Sequence, residues 1–418
     1  MTNTVVIGAG VVGTTTAYYL AREGLQVTVV DAAAGPGLET SFANGGLVTP
    51  STAFPWSSPG TLKLMLSYMG RDDAPLLLRR MDIPKLGLWG LRFALNCRPA
   101  KYRESARLLS NFARESLEEL EGLLSQSNVD YSLSRGGLIQ VYRDKSGVQS
   151  RDLYAQFLER MGIESTMLDS DGIVELEPSL RPIAPSIRAG LLLPNDAWGN
   201  ARQFSTAIDA AGRSLGVTYR YGVKADGLRR SGGSVEGVET SEGFLPASRV
   251  VLCGGPFTPA LLASLGISVP ICPVKGYSIS LGKSEIGFLP NHPIVDDHAH
   301  LGITPLGDQL RIAGTVEFAG FDRTIRPSRI DNLKRAVLNL FPEMKLPDDV
   351  SPWAGLRPMT PDGLPVIDAT GVEGLYINSG HGALGWTLAC ASARLISALI
   401  TGREVSGNSP FRLNRSYW

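Results

Sequence analysis

The chain has 418 residues, enough for roughly two or three domains and a substantial core, so no disulfide or metal staple is needed to fold it. Its 40 lysines and arginines balance 40 aspartates and glutamates, which removes a global field for nucleic acid and leaves a small molecule as the expected ligand. The four cysteines, Cys97, Cys253, Cys272 and Cys390, form no C-x-x-C pair, which argues against a zinc ribbon or dithiol site and for a reducing compartment.

Met1 runs almost directly into a strand with no room for a signal peptide, so a cytoplasmic location is expected. No run of about 18 apolar residues lacks a charge, so no membrane-spanning helix is expected. Thr4 to Ile7 reads as a buried strand, Val12 to Glu23 as an amphipathic helix and Gln26 to Val30 as a second strand. Gly8, Gly10 and Gly13, with Val11 and Val12 between them, lie in G-x-G-x-x-G spacing at the first strand-to-helix turn, and Asp31 closes the second strand. The first glycine turns the chain, the second admits a pyrophosphate and the third packs helix on strand; the helix start offers N–H groups to phosphate, and the acid accepts from a ribose hydroxyl. An adenine dinucleotide is the predicted ligand. After the acid comes no further βα repeat but a polar loop, Thr40 to Pro50, in which Ser41, Asn44, Gly45 and Gly46 are candidates to line a flat polar ring.

From Trp56 to about Arg107 the composition shifts to proline, leucine and basic residues, as expected of an insertion outside the nucleotide domain. Asp82 is placed to cap a short helix with Pro84 in its first turn, weakened by Gly87 and Gly90. Residues 75–95 have three readings: a cover over an active site, a membrane-interface dock beside Arg79, Arg80, Lys85 and Arg92, or a subunit contact. Ser105 to Ser125 predicts a long amphipathic helix. Further on, strands are predicted at Gly137–Tyr142, Val217–Val223, Asp226–Val238, Gly243–Leu245, Arg249–Gly255, Pro270–Leu281, His300–Ile303 and Gln309–Gly314, with helices leading from Phe204 to Gly216 and from Arg329 to Phe341. The meandering pattern predicts an antiparallel sheet in a second domain.

Near the C-terminus, Glu373–Ser379 reads as a strand, Gly380-His381-Gly382 as a turn and Ala383 to Ile400 as a helix whose start, with Gly385 and Trp386, faces whatever occupies the turn. Arg357 stands in Gly-Leu-Arg-Pro, where a planar fork can hold a carboxylate by two hydrogen bonds; the competing reading is a salt bridge to Asp362 or another acid. His298 and His300 alternate on a strand, but further ligands are lacking, and no metal site is expected.

Six segments then resemble one family: Gly8-Ala-Gly-Val-Val-Gly13, Ser41-Phe-Ala-Asn-Gly-Gly46, Leu193-Pro-Asn-Asp196, Pro273-Val-Lys-Gly-Tyr-Ser278, Gly355-Leu-Arg-Pro-Met-Thr-Pro-Asp-Gly363 and Gly380-His-Gly-Ala-Leu-Gly-Trp386. In these the chain is similar to the D-amino acid dehydrogenase branch of the glycine oxidase and D-amino acid oxidase superfamily of FAD enzymes. The resemblance implies an α/β (α+β) fold, with a Rossmann-like FAD domain interleaved with a substrate domain on a mainly antiparallel sheet. The expected division is 1–58, 194–266 and 355–418 for the FAD domain and 59–193 and 267–354 for the substrate domain. It also implies carboxylate binding by Arg357 and FAD contacts from Gly8, Gly10, Gly13, Asp31, Ser41, Asn44, Val223, Gly254, Gly380 and Gly385.

Two departures matter: related enzymes often carry glutamate where this chain has Asp31, and the strand at His300-Leu-Gly-Ile303 lacks the tyrosine of glycine oxidase. Sarcosine oxidase-like enzymes hold flavin through a cysteine that Ser351 to Asp362 lacks, so the FAD is expected to be noncovalent. The implied reaction is hydride transfer from Cα of a D-amino acid to flavin N5, with the imino acid hydrolysing to a 2-oxo acid and no dedicated side-chain base. Tyr277 is a candidate to orient substrate or flavin, Glu317 to face the ammonium, and His381 to pack on the cofactor. Electrons are expected to leave to a quinone or another carrier, with oxygen the other acceptor, and the location to be cytoplasmic or peripheral on the inner membrane face. The alternatives are an oxidase of glycine, sarcosine or other N-substituted amino acids, and a non-catalytic flavin-binding sensor.

Overall fold

A computed structural model describes residues 3–127, 129–403 and 409–415. Two sheets organise them. The first has six strands in the order Thr218–Tyr221, Gln26–Asp31, Asn3–Ile7, Arg249–Leu252, Leu375–Ser379 and Val366–Ala369, parallel except for the last pair. Its central strands are almost unbroken Val, Leu and Ile because helices or loops cover both faces, as parallel sheets require. The helices Val11–Arg22 and Gly385–Ile400 share a buried face on one side, where Ala17, Leu20, Leu388, Ala391 and Ile396 meet. Small residues in the second helix let the two approach closely.

The second sheet is larger and mainly antiparallel, running Ser351–Met359, Cys272–Gly282, Gln309–Glu317, Leu301–Leu306, Ile294–Asp296, Leu138–Tyr142, Ala189–Leu193, Thr166–Leu168, with Leu76–Leu77 added beside Gln309–Glu317. Alternation sorts its faces. Tyr277, Ile279, Leu281, Leu310 and Ile312 pack against Ile330, Leu333, Val337 and Leu340 of the helix Pro327–Leu340, while Ser278 and Arg311 between them reach the loop at 43–45 on the other face. The fold is thus the mixed α/β arrangement that was expected, with a parallel nucleotide-type sheet and a mainly antiparallel partner.

The strand Ser351–Met359 was not anticipated, because Pro352 and Pro358 interrupt its pattern. It lies at the edge of the large sheet, where a missing N–H costs no ladder bond. The expected division at 354/355 falls inside this strand, and by pairing the whole strand belongs to the large sheet. The helix of the leucine-rich segment is longer than expected, Ile83–Asn96, and is bent at Gly87 (φ 47°, ψ −131°). Asp82 does not cap it; its carboxylate pairs with Lys85 at 2.7 Å instead. Trp89 of this helix donates to the Met359 carbonyl at 3.0 Å, tying the segment to the edge strand.

Candidate active site

Between the two sheets lies a cavity of about 840 Å³. One end sits at the carboxyl edges of the parallel strands, lined by Ile7, Gly8, Val30, Asp31 and Gly254, the place where open α/β sheets bind ligands. Gly8 adopts φ +106°, and a Cβ there would lie 2.6 Å from the Cys253 carbonyl oxygen. Gly13 does not line the cavity; a Cβ on it would stand 1.9 Å from the Gly8 carbonyl, so its part is helix-to-strand packing. Gly10, Val11 and Val12 line the space.

Asp31 reaches back to its own turn, accepting from Ala9 N at 2.5 Å and Ala33 N at 2.7 Å. Burial raises its pKa against the pull of those two amides. Ser41 accepts from Val11 N at 3.0 Å, so its hydroxyl caps the first helix as well as lining the cavity. Asn44, Gly45 and Gly46 line it too, and the Asn44 side chain holds Gly46 N at 3.1 Å. Val223 and Gly380 lie outside the lining: Val223 donates its N–H to the Asp31 carbonyl, and Gly380 makes the turn at φ +81°. His381, Gly382, Gly385 and Trp386 are in the wall. His381 hydrogen-bonds Ser392 Oγ at 2.9 Å, and burial pushes its pKa down to about 3, so it is a neutral imidazole. Trp386 donates to Gly199 O at 3.1 Å.

The other end is built by the large sheet. Arg357 extends from the edge strand with its Cζ 5.3 Å from the Trp56 ring centroid. Its Nη1 has no hydrogen-bond partner, and no carboxylate lies within 4 Å of it among the described residues. Asp362 is not its partner: that carboxylate is held by Arg415, through Nε at 2.7 Å and Nη2 at 3.0 Å. Enclosure by protein lowers the Arg357 pKa to about 10, which leaves it cationic at neutral pH, although its surface toward the cavity keeps the side chain from being fully buried. Gly276 on the neighbouring strand makes the room, since a Cβ there would stand 2.5 Å from Arg357 Cζ. A glycine inside a strand is the sequence signal of such close approach.

Tyr277 borders the cavity, but its hydroxyl points into the sheet's far side and donates to Glu317 at 2.5 Å. Glu317 is not in the cavity wall. Its carboxylate, 2% exposed, also meets Lys275 at 3.0 Å and Arg326 at 2.9 Å. Burial raises its pKa, but the hydrogen bonds from Tyr277 and Lys275 and the nearby cations outweigh that and the net shift is downward. An ammonium would find this acid already neutralised. Trp56, Gly276 and Trp353 are cavity residues that sequence reasoning did not single out. Among the described residues no group of three His, Cys, Asp or Glu could hold a metal.

A family model for FAD dependent oxidoreductases matches residues 3–399. The chain belongs to that family. The D-amino acid dehydrogenase of Methylobacterium radiotolerans is 40% identical over 399 residues, 95% of this chain and 95% of that protein. The D-amino acid dehydrogenase of Allorhizobium ampelinum is 39% identical over 414 residues, 98% and 97% of the two chains. Among solved structures, glycine oxidase from Bacillus cereus superposes with a TM-score of 0.77 at 23% identity over 99% of each chain. L-proline dehydrogenase from P. horikoshii gives 0.74 at 17% over 98% of this chain and 96% of that one. At such identities these two likenesses speak to the fold alone.

The cofactor of this oxidoreductase is FAD, and the walls fit it. The glycine cradle at Gly8 is closed to any Cβ, Asp31 stands at the end of the second strand, and the cavity runs on from there past the Asn44 loop and the His381 turn to Arg357.

Proposed function

We propose that the chain oxidises D-amino acids to imino acids, which hydrolyse in water to 2-oxo acids. The observation that carries this reading is the Arg357 guanidinium, cationic, enclosed and without an acid of its own in a cavity of largely apolar walls. A cation enclosed by protein without a partner is costly, a cost that a substrate carboxylate offsets through two charge-assisted hydrogen bonds. Bound FAD supplies the acceptor for the hydride that leaves Cα. Arg357 fixes the carboxylate and the Trp56 ring packs against the guanidinium, so orientation supplies most of the rate. Two groups that could have served as a base for Cα are engaged elsewhere: His381, in the wall, is tied to Ser392, and Glu317, outside it, is paired with Lys275 and Arg326. The relatives' D-amino acid dehydrogenase names support the D configuration.

Anaerobic mixing with D-alanine or D-proline is expected to bleach the flavin absorbance while the L forms leave it yellow. Bleaching by L forms alone, or by glycine and sarcosine alone, would exchange this reading for another amine oxidation.

For the acceptor we infer a membrane quinone. No helix among the described residues is long and apolar enough to cross a membrane, but Leu62, Leu64, Leu66, Met81, Ile83, Leu88 and Leu91 are exposed on the two helices Thr61–Ser67 and Ile83–Asn96 and the link between them. Lys63, Arg80 and Lys85 are exposed among them. Apolar side chains rimmed by cations suit an anionic lipid surface. Flotation with phosphatidylglycerol vesicles should recover the protein; equal recovery after Leu66, Met81 and Leu88 are changed to Ser would end this part of the reading.

A further inference from the structure

Three consecutive carbonyls of the loop beside Asn44 are each taken by a side chain of the large sheet. Ser278 Oγ donates to Ala43 O at 2.7 Å, Arg311 Nη1 to Asn44 O at 2.8 Å and Thr304 Oγ1 to Gly45 O at 2.7 Å. These donors come from three strands of one sheet, Cys272–Gly282, Gln309–Glu317 and Leu301–Leu306, the second lying between the other two. The N–H groups of Ala43, Asn44 and Gly45 make no hydrogen bond with the protein among the described residues, and all three residues line the cavity. A loop whose acceptors are all engaged on one side and whose donors are all unengaged is polarised. It presents positive partial charge to the cavity, as successive backbone amides do in anion-binding nests.

Arg311 adds a full charge behind the loop. It is 5% exposed, its Nε donates to Ser280 Oγ at 2.9 Å, and no carboxylate lies within 4 Å of it among the described residues. Every other bond it is shown to make is to a neutral oxygen, so its charge is not cancelled locally. Burial lowers its pKa to about 10, still well above neutrality.

We propose that Ser278, Thr304 and Arg311 are positioning residues that clamp the 43–45 loop as a donor cradle for the cofactor, and that Arg311 biases the site toward the reduced, negatively charged form of the flavin. The ring of oxidised FAD is neutral and would feel the cradle only through hydrogen bonds. Two-electron reduction would add negative charge to the ring, and the uncompensated guanidinium would then favour the reduced form. The clamp also fixes the cofactor loop to the sheet that carries Arg357. This inference rests on FAD occupying the cavity but not on which amino acid is oxidised.

The test uses purified holoenzyme and dye-equilibrated reduction without any amino acid, so its failure is separable from failure of the substrate assignment. R311M should lower the preference for reduced over oxidised FAD about tenfold, a fall of roughly 30 mV in the two-electron midpoint potential. R311K should retain most of the wild-type value. T304V and S278A, which keep the charge, should speed FAD release several-fold, read from the fluorescence of freed flavin, with a smaller change in potential. An R311M potential equal to wild type, or one matched by R311K, overturns the electrostatic role. Should R311M not retain FAD, the R311K potential and the two release rates decide: wild-type release in both T304V and S278A overturns the clamp.

Discussion

At the parallel-sheet end of the cavity the working groups are backbone: the Gly8 turn, the start of the first helix and the amides that hold Asp31. At the large-sheet end they are single side chains, Arg357 above Trp56 and Arg311 behind the Asn44 loop. The difference sets what each end tolerates. A backbone cradle fails when a Cβ intrudes, because its groups are present in every sequence and only space is scarce. A buried cation fails when charge or fork geometry changes, because the low dielectric around it magnifies both. Two arginines sharpen the contrast: Arg415 is saturated by Asp362 and backbone carbonyls, Arg357 is not.

Changing Asp362 to Ala is therefore expected to have the largest effect on folding. It strands the Arg415 guanidinium in a fully buried site and removes the acceptor of Leu364 N, for a loss of about 3–5 kcal/mol in chemical denaturation. If stability is retained while KM rises, Asp362 serves Arg357 after all and the contrast collapses.

Arg357→Met should invert that pattern. Removing a charge-assisted fork is expected to lower kcat/KM roughly 10²–10³-fold, mostly through KM, while thermal stability holds or rises, since an unpartnered buried cation is lost. Gly276→Ala, which puts a methyl 2.5 Å from Arg357 Cζ, should reproduce part of the KM defect with charge intact. A drop in stability matching Asp362→Ala would show that Arg357 holds the fold and not the substrate.

The two ends were also unequally legible. The first strand, helix and second strand fall within a residue or two of expectation because spacing, apolar periodicity and the closing acid all act locally. Arg357 was singled out, but as a residue between glycines and prolines, since the pairing that makes 351–359 a strand is made with a segment some eighty residues earlier. Glu317 shows the converse. It was a candidate to face the substrate ammonium, yet a β-bulge near Thr315, which adopts φ +52°, and pairing opposite Lys275 turn it to the helix side of the sheet. Arg311 went unnoticed because alternation alone says that it faces away from Leu310 and Ile312, not what it meets there. Long-range partners, not local propensity, decide those residues.

The smallest effect concerns the seam between the ends. Asp196, just past the strand Ala189–Leu193, accepts from Ser51 N at 3.1 Å in the turn beside the cavity, and its other oxygen has no hydrogen-bond partner among the described residues. Burial raises its pKa from 3.8 to about 7. Because the folded value lies above the unfolded one, the folded chain keeps a proton between about pH 4 and 7 that the unfolded chain has released. Stability is then favoured at the acid end of this window, falls as pH rises through it and levels off above pH 7. Asp196→Asn keeps the neutral acceptor and removes the titration. With FAD saturating, wild type should lose about 1–2 kcal/mol more than the variant between pH 5 and pH 8, after discounting for relaxation around a buried group. Denaturation curves that stay parallel across that range would mean that the carboxylate is ionised and solvated at the seam, and that the two ends are joined through water instead of a dry contact.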